Sequence, residues 1–135
     1  MTSSRATGSS IRPPRDRLAL GSIVCDAGVM RDRVRQLLRE FERRLESLYG
    51  ERLRGVYLYG SYARGEADDE SDVDVLIVLD DVLSYGAEVD RTGKVTSELA
   101  LEYRLSLSRL FVSEHDWLHR DTPFFSNVRE EALAA

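Results

Sequence analysis

Asp72 and Asp74 stand one residue apart at the head of an apolar run, Val73 and Val75 to Leu79. The run is β-branched and nearly continuous, as expected of a strand buried on both faces. Residues two apart on a strand share a face, so the two carboxylates point the same way, with Cα atoms roughly 6.5–7 Å apart. Their oxygens could approach to about 5 Å, where like charges repel by roughly 3 kcal/mol at an effective dielectric near 20. A divalent cation relieves that repulsion. Mg²⁺ suits a site with few carboxylate oxygens and room for phosphate and water. Upstream, Gly60 and Ser61 close a second apolar run, Val56 to Tyr59. Glycine lets the backbone approach a ligand closely, and Ser61 is placed to cap a following helix whose free N–H groups attract anions. A phosphate cradle opposite metal-binding acids equips a protein for phosphoryl or nucleotidyl transfer.

The pattern Gly60–Ser61, ten residues, then Asp72–Val73–Asp74 resembles the GSx10DxD signature of the polymerase-β-like nucleotidyltransferase superfamily. The intervening SYARGEADDES, with Arg64, Gly65 and Glu66, is similar to the minimal nucleotidyltransferases, small prokaryotic proteins often encoded beside a HEPN-type ribonuclease toxin. The likeness spans residues 30–131, and its specific part is the motif. It implies an α/β (α+β) fold with a small mixed β-sheet and helices packed mainly on one side. It also implies transfer of a nucleoside monophosphate from an NTP, ATP foremost, to an acceptor hydroxyl, such as a tyrosine on a HEPN toxin that the modification silences. Asp72 and Asp74 would then be the catalytic, Mg²⁺-holding pair, and Gly60 and Ser61 would seat the distal phosphates. Arg64 is open to two readings, a phosphate partner or a side chain closing the helix surface.

One departure from the superfamily concerns a third carboxylate, which active members usually carry on a neighbouring strand. The next strand is expected over Tyr103 to Val112, and its interior offers Ser106, Ser108 and Arg109. Glu102 and Glu114 flank it and would each need a bend to reach the pair. That weakens a second metal site and keeps an alternative open: an antitoxin impaired in catalysis that neutralises a HEPN ribonuclease by binding alone. An aminoglycoside-type transferase fits less well, because that chemistry normally uses an additional helical domain for the acceptor. Other acidic and metal motifs fail on their residues. A calcium loop counted from Asp68 has Val73 at the glycine position and Leu79 at the bidentate glutamate position. No GxxxxGK[ST] pattern occurs. His115 and His119 in HDWLH mimic HExxH, with Asp in place of Glu and no evident third ligand.

These residues need elements to hold them. Val34, Leu37, Leu38, Phe41, Leu45 and Leu48 recur at helical spacing from about Val29, and Gly50 is the expected stop. A loop and then a helix are expected after Leu79, with Gly86 and Gly93 as weak points. Thr122 before Pro123 marks a helix start, after which Phe124, Phe125, Val128 and Leu133 would cover the sheet edge or a partner. Trp117 is expected to pack, and Lys94, the sole lysine, to lie on the surface.

Residues 1–28 are expected to form a disordered leader, with 29–135 as one nucleotidyltransferase domain; a biological start near Met30 is one expectation. The net charge of −5 argues against a stable grip on nucleic acid, which needs clustered cations. A single cysteine, Cys25, suits a reducing cytoplasm. No apolar run reaches the length of a membrane span.

Overall fold

The computed structural model describes residues 24–68 and 70–135; residues 1–23, which make up most of the expected leader, lie outside them. Helix α1 (Val24–Tyr49) begins ahead of the point where its periodicity becomes legible. It ends at Gly50, whose φ of +57° turns the chain into a 3₁₀ turn over Gly50–Arg52. Then follow β1 (Leu53–Tyr59), the single-turn α2 (Ser61–Arg64), β2 (Val73–Leu79), α3 (Tyr85–Tyr103) and β3 (Leu107–Ser113). The described chain finishes with α4 (Glu114–His119), α5 (Pro123–Glu131) and the two-residue β4 (Leu133–Ala134).

The four strands form one mixed sheet in the order β3-β2-β1-β4. β2 runs antiparallel to β1 and parallel to β3, with α3 as the crossover. β2 is central and fully buried from Val75 to Leu79, which explains its unbroken apolar sequence.

Alternation along the strands divides the side chains between two cores. Val56, Leu58, Val73, Val75, Ile77 and Leu79 face α1 and α3, where Leu37, Phe41, Leu45 and Leu99 are almost wholly buried. Leu76 and Val78 face the other way and pack with Val112, Phe125 and Val128. The sheet is therefore covered on both faces, the second by α4 and α5, which corrects the expectation of helices mainly on one side. Trp117 packs on Tyr57 at 5.0 Å between ring centroids, as a packing anchor should. α5 is fastened to α4 by Arg129, whose Nε donates to the Trp117 carbonyl at 2.7 Å and whose guanidinium lies over Phe125.

Three local expectations change. The strand expected from Tyr103 starts at Leu107: Tyr103 closes α3, and Arg104, at φ 56°, turns the chain in the left-handed region. Gly86 and Gly93 lie inside a continuous α3, capped by the Ser84 hydroxyl, which accepts from the Ala87 N–H. Leu48 is 42% exposed and Tyr49 takes the buried position in its place. Lys94 is exposed, as expected.

Candidate active site

Asp74 is the second residue of β2, and Asp72 immediately precedes the strand, at the edge where β1 ends. Asp74 pairs in register with Tyr59 on β1 and with Ser108 on β3. Both acids share the parity of Leu76 and Val78 and so face the α5 side of the sheet. Asp72 is exposed and Asp74 half-buried. Burial, then the neighbouring Asp72 charge, push the Asp74 carboxyl above its ordinary value; Arg64 opposes this and Glu131 adds to it. The Asp72 contribution, second to burial, is the like-charge repulsion that the sequence spacing implies.

The glycine–serine corner meets Asp74. Gly60 has φ +79°, and a Cβ there would lie 2.2 Å from Asp74 Oδ2, so only glycine fits. Ser61 does not cap α2. Gly60 holds the N-cap position with no side-chain cap, and Ser61 is the first helical residue. A helix of one turn also contributes little dipole. Anion-binding capacity at this corner rests instead on the Gly60 N–H and the Arg64 guanidinium.

Both groups are engaged by Glu131, a residue the sequence does not single out. Its Oε2 accepts from the Gly60 N–H at 2.7 Å, and its two oxygens accept from Arg64 Nη1 at 3.2 and 3.3 Å. Arg64 Nε donates to Glu66 at 2.9 Å. The strand register explains the contact. Leu133 of β4 pairs with Leu58 of β1 in antiparallel fashion, so two residues outward Glu131 falls opposite Gly60. The only hint in the sequence is the acid at the end of an amphipathic helix, and the pairing that places it is a two-residue strand.

A cleft of about 540 Å³ joins these groups. Tyr59, Gly60, Ser61, Arg64 and Asp74 line one wall, and α5 supplies Phe124, Asn127, Glu130 and Glu131 to the other. The Tyr59 phenol is pushed up to about 12 by burial, with the Asp74 charge adding to it, and so stays protonated at neutral pH. Acids outnumber the single arginine around this cleft, so an anionic ligand would enter accompanied by cations.

The third-carboxylate position stays unfilled on β3, where Ser108 stands beside Asp74. Glu102 is exposed on α3. Glu114 follows the far end of β3, roughly 20 Å along the strands from Asp74, and lies 3.6 Å from Arg54. No group of three or more His, Cys, Asp and Glu able to hold a metal occurs among the described residues. His115 and His119 share a face of α4 with ring centroids 5.0 Å apart, and no third ligand joins them among those residues. No described helix is long and apolar enough to cross a membrane.

A mixed sheet with a Gly–Ser corner packed against the second acid of an Asp-x-Asp strand defines a nucleotidyltransferase class of protein. The chain belongs to the nucleotidyltransferase domain family, which residues 38–129 match. Two Methanocaldococcus jannaschii proteins, each named "Putative protein adenylyltransferase", are similar to it. One is 36% identical over 73 residues, 54% of this chain and 73% of the relative. The other is 34% identical over 95 residues, 70% of this chain and 89% of the relative. A Sulfolobus solfataricus crystal structure, of a protein assigned as a nucleotidyltransferase, superposes with a TM-score of 0.56 and 20% identity. It covers 87% of this chain and 89% of that one, and what it shares at such identity is the fold.

Proposed function

We propose that this nucleotidyltransferase moves AMP from ATP to a hydroxyl on a protein, with a HEPN-type toxin as the acceptor. The observation that carries the proposal is the Glu131 carboxylate held by the Gly60 N–H and Arg64. It supports reading these donors as an anion seat beside the Asp74 carboxylate. The relatives' names support AMP as the transferred group and a protein as the acceptor. The GSx10DxD region and its SYARGEADDES insert support the toxin partner by resemblance.

Asp72 and Asp74 fit a divalent cation. They are two hard oxygen donors two residues apart, and burial and the neighbouring Asp72 charge raise the Asp74 carboxyl, a rise that a bound cation would relieve. Mg²⁺ bound there supplies neutralisation of charge on the transferring phosphate and the pyrophosphate leaving group. The chain's own groups do the seating. The Gly60 N–H and Arg64 would donate to phosphate oxygens once Glu131 gives way, and the absence of a Cβ at Gly60 lets phosphate and Asp74 share the corner. Seating on fixed donors aligns the phosphate before reaction.

The test is transfer from labelled ATP to a co-expressed HEPN toxin. The wild-type chain should label a toxin hydroxyl and Asp72→Ala should not; equal labelling by both would defeat the proposal. A second reading, neutralisation by binding alone, is favoured by Ser108 standing where a third acid would help. In that case Asp72→Ala would still protect cells from the toxin.

A further inference from the structure

Helix α5 brings more than Glu131 to the cleft. Residues i, i+3 and i+7 share one side of a helix, so Phe124, Asn127 and Glu131 form a row, and all three line the cleft. Phe124 is 45% exposed while its neighbour Phe125 is buried in the second core. The Phe124 ring is held between Tyr59, edge to face at 6.2 Å, and Phe125 at 5.5 Å. It is thus a fixed aromatic surface that remains half open. Asn127 is exposed, and its amide has no hydrogen bond with the described residues.

The row has a measurable length. Seven residues of helix span roughly 10.5 Å, and its Glu131 end lies against the Gly60 N–H and Arg64 donors. A nucleoside triphosphate lying extended separates its base from its outer phosphates by a comparable span. We infer that Phe124 and Asn127 form the base seat of this cleft, Phe124 stacking on a purine and Asn127 meeting its edge. Purines offer the larger π-face for stacking. A carboxamide presents one donor and one acceptor side by side, the pattern that complements the amino group and ring nitrogen of adenine. The inference rests on the nucleotidyl-transfer reading and adds to it the determinant of base choice.

Calorimetric titration with Mg²⁺·ATP, Mg²⁺·UTP and Mg²⁺·tripolyphosphate separates base from phosphate. Wild-type protein should bind ATP more tightly than UTP, and Phe124→Ala should weaken ATP about tenfold, as loss of one stacked base does. Tripolyphosphate affinity should not change in that variant, and Phe124→Trp should keep ATP affinity. Asn127→Ala should narrow the gap between ATP and UTP. Unchanged ATP affinity in Phe124→Ala, or equal losses of ATP and tripolyphosphate, would overturn the base seat and leave the transfer proposal standing. If wild-type protein binds neither tripolyphosphate nor ATP, the transfer proposal fails and the base seat fails with it.

Discussion

Glu88 and Asp74 are both carboxylates drawn into the protein, and their surroundings differ in one respect. Glu88 is 4% exposed and fully answered. It accepts from the Tyr49 hydroxyl at 2.7 Å and from Arg52 at 3.1 Å, with Arg91 at 3.7 Å. Burial pushes its carboxyl up, but the hydrogen bonds from Tyr49 and Arg52 and the two arginine charges together outweigh that and hold it low. Asp74 is less buried, yet its carboxyl is held high, first by burial and then by the Asp72 charge, and Arg64, which opposes the rise, is shared with Glu131 and Glu66. A carboxylate surrounded by counter-charge ties elements together, here α1, α3 and the turn before β1. One kept short of it is set to take up a cation or a proton.

The largest effect should fall on Asp74→Ala, which should reduce nucleotide transfer at least about a hundredfold while leaving the fold intact, as read by circular dichroism. Glu88→Ala should do the reverse. It strands the buried Tyr49 hydroxyl and removes the contacts to Arg52 and Arg91, at a cost of about 2 kcal/mol in urea unfolding, with Mg²⁺·ATP affinity preserved.

Glu131→Gln tests how far Arg64 is held back from Asp74. Removing the charge that competes for Arg64 should tighten Mg²⁺·ATP about threefold to tenfold. Weaker binding would mean that Glu131 serves the ligand rather than standing in for it.

The smallest effect is on stability. Because the Asp74 carboxyl is raised in the folded state, its ionisation opposes folding. The penalty is absent below the unfolded-state value and develops as pH rises through the folded-state value. Asp74→Asn should therefore raise Tm by about 3 °C at pH 7, and the gain should vanish in acid. An equal gain at both pH values would point to a different cause.

What could be read in advance follows from how local each signal is. β2 and its two aspartates were legible because a strand buried on both faces needs an unbroken apolar run, and a period of two fixes which side chains agree. The start of α5 was legible in Thr122–Pro123; the Thr122 hydroxyl does accept from the Phe125 N–H at 3.2 Å. The start of β3 was not. YRLSLS alternates like a strand, but Arg104 closes α3 in a left-handed turn that no neighbouring residue announces. Ser61 was misassigned as a cap because its type fits that role; the positive φ of Gly60 gives the position to the glycine. Glu131 could not be found at all. Its contact spans 71 residues and depends on which residues of a two-residue strand pair with β1, a choice too weakly encoded to read from pattern.

On the proposed reading, the Gly60–Arg64 corner and Asp74 together seat the phosphates of a metal-bound nucleotide. Calorimetry of Mg²⁺·ATP with wild-type protein and with Asp74→Asn decides it. Binding by the wild type that falls at least tenfold in the variant is the predicted result; equal affinity for the two would contradict it.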